Sequence, residues 1–378
     1  MTDKLAAWGE SIFSVMTAAA TKHGALNLAQ GFPDFPVDPL LEQFVQEAMQ
    51  TGYNQYARPI GNPLLCQAIQ KLIAQNYNYD IDPEIQLTIV PGATYGIYIT
   101  MQALVNKGDE VIFFEPGYDS YAPAITMAGG VPSPVRCEAP FFEIPWQKLE
   151  AAINPSTKMI LINHPHNPTA TLLSSTDLGK IAELAVKHDL LIVSDEVYEF
   201  IRFDQNSHTP AYLIPGLADR SVTLSSFGKT LHATGWKCGY IIANEKLSRL
   251  IRKVNQFASF STHHPTQVGI AYYLEKLNYT PDISTNYFIR LQYFIALMKV
   301  SRFNLLACQG TYFLLMDYTS VSEKSSKEFA LQLIREHGIA TIPLSAFYSD
   351  SYDPKLLRIC FAKENNTLEK AAEILCTI

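Results

Sequence analysis

Seven short apolar runs, at 87–90, 110–114, 131–136, 159–163, 190–194, 222–225 and 239–243, punctuate the middle of this chain. Turns and helical stretches, such as 93–105 and 174–187, lie between them. Most of the runs are continuously apolar, without alternation, which is the pattern of strands covered on both faces. The helical stretch at 174–187 opens within Thr171-Leu172-Leu173-Ser174-Ser175-Thr176-Asp177, rich in side chains that cap helix N-termini. Strands alternating with helices in this way predict an α/β fold with a doubly wound, mainly parallel, seven-stranded sheet.

The rhythm breaks near residue 280. A helix is expected at 284–300, a strand at 310–316, a helix at 326–338 and an extended segment at 357–361, which together read as a smaller α+β domain. The first 40 residues, with Gly31-Phe32-Pro33-Asp34-Phe35-Pro36, do not fit the regular sheet and are expected to pack on that domain. The division that follows is a large domain at 42–280 and a small one assembled from 1–41 and 281–378. No internal repeat or low-complexity tract interrupts it.

Composition bounds the partners. Apolar residues make up 48% and charged residues 17%, enough for a large core and too apolar for disorder. Asp and Glu outnumber Lys and Arg by 36 to 29, a net charge of −7 that argues against nucleic acid as a partner. The six cysteines form no Cys-x-x-Cys pair and no disulfide framework, so reduced, mostly buried thiols in a cytoplasmic protein are expected. No apolar run is long enough to span a bilayer. The mildly apolar stretch 11–20 carries Ser and Thr and follows Glu10, which argues against a signal peptide.

In open α/β sheets, ligands bind beyond the carboxyl ends of the strands. The segments there are Pro91-Gly92-Ala93-Thr94, Glu115-Pro116-Gly117-Tyr118, His164-Pro165-His166-Asn167, Asp195-Glu196-Val197-Tyr198 and Ser226-Phe227-Gly228-Lys229. Lys229, flanked by small residues, could have a depressed pKa and form a Schiff base with an aldehyde, or could be an ordinary loop lysine. Asp195 could hold a cation such as a protonated pyridine, or cap a helix. Two prolines stiffen the backbone around Asn167. Gly92-Ala93-Thr94 opens a helix directly after a strand, a place that favours an anion, with Lys237 and Ser226 able to add charge and a hydroxyl. His164 and His166 lack a Cys or carboxylate partner at metal-ligand spacing, so no metal is expected.

Singly these signals are ambiguous; together they are not. The order Asn167, Asp195, Tyr198, Lys229, Lys237, Arg358 resembles the aspartate aminotransferase-like superfamily of pyridoxal 5′-phosphate (PLP) enzymes, of fold type I. The similarity runs from Asn27-Leu28-Ala29-Gln30-Gly31-Phe32-Pro33-Asp34 to Arg358-Ile359-Cys360-Phe361-Ala362-Lys363. It is greatest for the branch containing kynurenine, glutamine and methionine aminotransferases, through 29–35, Glu115-Pro116-Gly117-Tyr118-Asp119-Ser120-Tyr121, and 228–237.

The resemblance implies a role for each residue. Lys229 would carry PLP and then act as base and acid on the substrate Cα proton. Asp195 would keep the pyridine nitrogen protonated, Tyr198 and Asn167 would bond the phenolic oxygen, and Tyr118 would stack on the ring. Ala93, Thr94, Ser226 and Lys237 would hold the phosphate, with Tyr56 reaching across a homodimer to the neighbouring subunit's phosphate. Arg358, with Gly31 and Asn167, would take the substrate α-carboxylate, in a bidentate geometry that lysine cannot reproduce. Two positions depart from the usual pattern: Ala170 stands where Gly is common, tightening one turn, and Lys237 where many relatives have Arg.

The activity so implied is amino transfer from an L-amino acid to a 2-oxo acid. Its rival on the same scaffold is PLP-dependent β-elimination at a cysteine-conjugate C–S bond. A transcriptional regulator built on such a domain would need a DNA-binding module before residue 27, and a nicotinamide dehydrogenase would need a Gly-x-Gly-x-x-Gly turn that follows none of the strands. Phe32, Tyr56, Tyr118 and Phe347, in or near the pocket segments, suggest an aromatic-lined pocket. Methionine is the favoured donor, followed by glutamine and aromatic or kynurenine-type amino acids.

Overall fold

A computed structural model describes residues 4–6, 8–204 and 208–378. Its central sheet has seven strands: β1 Leu87–Val90, β2 Glu110–Glu115, β3 Val131–Arg136, β4 Thr157–Asn163, β5 Leu191–Asp195, β6 Ser221–Ser226 and β7 Gly239–Ala243. Their spatial order is β1-β7-β6-β5-β4-β2-β3. Only β7 runs antiparallel to its neighbours β1 and β6; the remaining pairs are parallel. The inner strands are buried along most of their length, and β1 and β7 along all of it, in keeping with their largely apolar sequences.

Three polar residues placed by sequence just beyond strands belong to their last rungs instead. Glu115 closes β2, Asp195 closes β5 and Ser226 closes β6. Asp195 is in register with Asn163 of β4 on one side and Leu224 of β6 on the other. Backbone pairing therefore fixes the direction of the Asp195 side chain more firmly than a loop could.

A second, four-stranded antiparallel sheet is built around β8 Phe313–Asp317 and β9 Leu356–Cys360, flanked by Asn304–Leu305 and Ile342–Pro343. The strand expected from 310 begins only at Phe313, because Thr311 has φ +64, outside the extended region. Gly310 instead forms an isolated bridge with Arg202. The helix expected over 284–300 ends at Leu297 and tightens into a 3-10 turn at Met298–Val300. Helix Ser326–His337 has both its signals: a capping box between Ser325 and Glu328, and Gly338 at φ +69 closing its C-terminus.

The chain's beginning is tied to its end by backbone bonds. Helix Ile12–His23 buries Met16 and Ala20, and Leu26–Asn27 pairs in parallel with Ile339–Ala340. Cys360 N–H then donates to the Leu28 carbonyl at 2.8 Å. One apolar core continues from the large sheet into these terminal segments. A second lies where β1 and β7 meet helices Pro63–Tyr77 and His264–Lys276. No helix among the described residues is long and apolar enough to cross a membrane.

Candidate active site

One cavity of about 320 Å³ opens at the carboxyl ends of the central strands. Of the residues singled out from the sequence, Gly31, Ala93, Thr94, Tyr118, Asn167, Asp195, Tyr198, Ser226, Lys229, Lys237 and Arg358 all line it. They come from segments that are far apart in the chain. Gly31 and Arg358 are brought in by the terminal segments, so the cavity lies where those segments meet the large sheet.

Asp195 forms one wall and is 4% exposed. Burial pushes its carboxyl up to about 6, against the opposing pull of Tyr121 and the Val197 amide. Tyr121 donates to Oδ2 at 2.7 Å and Val197 N–H to Oδ1 at 3.4 Å. Asn163 donates to the Asp195 carbonyl at 2.7 Å and accepts from the Asn167 N–H at 2.7 Å, which links the two strand ends.

Lys229 sits in the short helix Phe227–Thr230 that follows β6. Burial lowers its amine to about 8, with the Arg358 and Lys237 charges acting in the same direction. Nζ donates to the Tyr312 hydroxyl at 2.6 Å and lies 5.5 Å from the centre of the Tyr198 ring. Burial also holds the Tyr198 phenol well above its usual range, so it stays a hydrogen-bond donor.

Arg358 is 1% exposed, and burial brings its guanidinium down to about 10. Nη1 donates to Asn167 Oδ1 at 2.7 Å and Nη2 to the Ala29 carbonyl at 3.0 Å; Nε has no partner. Among the described residues no carboxylate forms an ion pair with it. Its guanidinium carbon lies 3.8 Å from the centre of the Phe313 ring, 5.1 Å from that of Phe13 and 5.2 Å from that of Phe347. A buried cation without a counter-ion is costly, and a carboxylate entering the cavity would supply one.

The anion cradle is also in place. Gly92 precedes helix Ala93–Leu104 at φ +84, and no side chain caps the helix's first N–H groups. A Cβ at Gly92 would come within 3.2 Å of Lys237 Nζ, so the missing side chain lets the lysine amine approach the helix N-terminus. Positive φ at Lys237 itself, +51, turns that side chain back toward the helix. Backbone amides, an ammonium and the Ser226 hydroxyl form a donor set suited to a phosphate.

Tyr56 is 83% exposed and packs edge-to-face on Phe260, outside the cavity of its own chain. Two of the expected wall residues need revision. Phe32 is turned outward against Lys363, and Phe347 stands behind Arg358 without lining the cavity. Tyr118 lines the cavity as expected, and Phe13 and Phe313 complete the aromatic wall. Asp195, for which a helix-capping role was open, ends a strand. The sequence reading also missed Tyr121, Asn163 and Tyr312. Tyr121 had a usable signal, since it lies three residues after Tyr118 in the segment that follows β2, where it opens helix Tyr121–Met127. His166 Nδ1 pairs with Thr169 Oγ1 at 2.6 Å, and His164 Nδ1 accepts from the Leu173 N–H at 2.9 Å.

A lysine amine between a buried carboxylate and a buried, unpaired guanidinium, beside a ready phosphate cradle, defines a group-transfer enzyme acting on small carboxylates. The chain belongs to the aminotransferase class I and II family, whose sequence pattern matches residues 24–375, and it is an aminotransferase. It is 42% identical over 376 residues to the methionine aminotransferase of Escherichia coli (strain K12), covering 98% of this chain and 97% of that protein. A solved structure of an E. coli methionine aminotransferase matches with a TM-score of 0.97 at 40% identity, covering 100% of this chain and 99% of the other. A probable N-succinyldiaminopimelate aminotransferase of Mycobacterium tuberculosis (strain CDC 1551 / Oshkosh) is 34% identical, covering 99% and 98%. A kynurenine–oxoglutarate transaminase of Dictyostelium discoideum is 30% identical, covering 97% and 94%. Members of this family generally depend on PLP, use amino and oxo acids as substrates and act as dimers.

Proposed function

We propose that the chain is a PLP-dependent aminotransferase that takes its amino group from methionine, with glutamine and aromatic or kynurenine-type amino acids as further donors. The observation that carries this reading is the pairing, within one cavity, of Lys229 with the buried carboxylate of Asp195 and the unpaired guanidinium of Arg358. When bound, PLP supplies an aldehyde that takes up an amino group and a ring that draws electron density from the substrate Cα.

The chain's own residues do the rest. Lys229 would hold the cofactor's aldehyde carbon, and as a free amine it would remove and return the Cα proton, a task that a pKa brought down to about 8 by burial suits near neutral pH. Asp195, its carboxyl raised by burial, would hold a protonated ring nitrogen, whose charge would favour the carboxylate form. Tyr198 and Asn167 would donate to the phenolic oxygen, and Tyr118 would stack on the ring. The Ala93 and Thr94 amides, Ser226 and Lys237 hold the phosphate. Arg358 takes the substrate α-carboxylate, helped by Asn167 and the Gly31 backbone. Tyr56, exposed and remote from its own cavity, serves the phosphate site of a second copy in a homodimer.

The cavity's cations are Lys229, Lys237 and Arg358, and each has a task in this scheme. A distal carboxylate on the donor would find no further cation among the lining residues. Phe13, Phe313 and Tyr118 instead offer an apolar wall. Amino-donor specificity therefore falls to methionine, then to glutamine and to aromatic or kynurenine-type amino acids. A panel of amino donors against one 2-oxo acid tests this: methionine is expected to lead, and aspartate as best donor overturns it. The same machinery could release pyruvate from a cysteine conjugate; assaying pyruvate beside keto-acid-dependent transfer measures how far amino transfer dominates.

We further propose a division into a large domain at 42–280 and a small domain from 1–41 with 281–378, supported by the pairing of Leu26–Asn27 with Ile339–Ala340. The cytoplasm is the proposed compartment, in keeping with six free thiols.

A further inference from the structure

We infer that Tyr312 is a positioning residue that aims the lone pair of the Lys229 amine into the cavity. The Lys229 Nζ lies 2.6 Å from the Tyr312 oxygen and 3.3 Å from the Gly31 carbonyl oxygen. The Tyr312 hydroxyl lies 2.6 Å from that same carbonyl oxygen.

Counting protons settles who donates. A phenol has one proton, and a carbonyl oxygen only accepts. With its proton on Gly31, Tyr312 is left to accept from Lys229. A neutral amine has two N–H groups and one lone pair. One N–H points to Tyr312 and the other toward Gly31, so the lone pair faces away from both, toward the cavity. The opposite arrangement, with Tyr312 donating to Nζ, would occupy the lone pair and leave the short Tyr312–Gly31 contact without a proton.

The ring cannot easily swing away. Tyr312 is fully buried and meets Tyr198 edge-on at 5.3 Å and Tyr287 at 5.6 Å between centroids. The left-handed turn at Thr311, φ +64, with Thr311 Oγ1 accepting from the Phe313 N–H at 3.1 Å, sets its approach. Burial keeps the phenol well above its usual range, so its proton stays in place. The titratable and charged groups acting on Lys229 are Tyr312, Tyr198, Asp195, Arg358, Cys360 and Lys237. Of these, Tyr312 is the one hydrogen-bonded to Nζ.

The inference rests on Lys229 being the amine that takes the cofactor, so the test has one limb that needs no cofactor. In the full chain stripped of PLP, acetic anhydride labelling of Lys229 is followed by mass spectrometry against pH, and PLP capture is followed by absorbance. In the parent, both rates are expected to rise with pH and level off above the amine's midpoint. In Tyr312→Phe the level-off rate is expected to fall about tenfold in both limbs, the effect of losing one orienting hydrogen bond. The midpoint should also drop, because the lost acceptor favoured the charged amine. Tyr287→Phe, which loses a hydroxyl bonded to His232 and packs on the same ring, is expected to change neither. If Tyr312→Phe does not accumulate folded, Tyr312→Met, which also lacks a hydroxyl, is measured in its place. An unchanged or faster level-off rate without the hydroxyl, or an equal loss in Tyr287→Phe, overturns the inference. Failure of the parent to capture PLP while labelling behaves as expected overturns the cofactor reading and leaves this one standing.

Discussion

Tyr121 donates a 2.7 Å hydrogen bond to Asp195 Oδ2, although Tyr121 opens helix Tyr121–Met127 and Asp195 ends β5, 74 positions away. The bond holds the carboxylate in one orientation and partly offsets its burial, yet the carboxyl still lies at about 6, above an ordinary 3.8. A charge kept under that strain is a binding site for a cation.

Burial at Asp195 should be visible in stability. Its folded pKa is raised, so between about 4 and 6 the folded PLP-free chain holds a proton that the unfolded chain has released. Stability from this group therefore falls as pH rises through that window. Asp195→Asn should stabilise the PLP-free chain by about 1–3 kcal/mol at pH 7 and leave it nearly unchanged at pH 4. Thermal melts at the two pH values check this, and the same variant should bind PLP less tightly.

Lys229→Ala removes both the amine that takes the cofactor and the acid–base group. Turnover is expected to fall by at least about 10²–10⁴, the usual worth of one positioned proton-transfer group. The near-visible absorbance of the lysine-bound cofactor should disappear as well. Steady-state assays and an absorbance scan of the purified variant suffice; retention of both would remove Lys229 from the mechanism.

Arg358→Lys keeps a positive charge but not the planar fork that reaches Asn167 and Ala29 together. A loss of about 10–100-fold in kcat/KM is expected, carried mainly by KM for the donor, as follows from losing one charge-assisted hydrogen bond. Donors with different side chains should suffer alike, because the α-carboxylate is common to all of them.

Ala170 adopts φ +61, where L-residues with a Cβ are disfavoured. Its N–H donates to the His166 carbonyl and its own carbonyl accepts from the Gln309 N–H, so the turn cannot relax. Ala170→Gly should stabilise the chain by about 0.5–1 kcal/mol, the relief of left-handed strain less the added freedom of glycine when unfolded. Chemical denaturation measures it, and kcat should be unaffected.

Much of this was legible from residue order. Most strands of the central sheet are readable as apolar runs because strands covered on both faces tolerate little else; β3, Val-Pro-Ser-Pro-Val-Arg, is the exception, a partly exposed strand at the end of the sheet. Lys229, Asp195, Asn167 and Arg358 are recognisable because each chemical task admits few side chains. Tyr56 was a different case: its place in the sequence pattern is clear, yet it stands outside the cavity of its own chain, and a role for it needs a second copy. Phe32 looked like a wall from its neighbours in sequence, but its side chain turns outward to Lys363.

The pattern of apolar runs was enough to specify an α/β sheet and to put chemistry-bearing residues at its strand ends, while the lysine-centred site and the reaction class came from the resemblance of their order to a known family. Which aromatic rings face the substrate, which hydroxyl braces Asp195 and which one steers Lys229 were decided by folding. Phe13, Tyr121 and Tyr312 owe their roles to contacts across 345, 74 and 83 positions with Arg358, Asp195 and Lys229. Contacts at such separations depend on how the chain ends close over the sheet, and no local pattern encodes them.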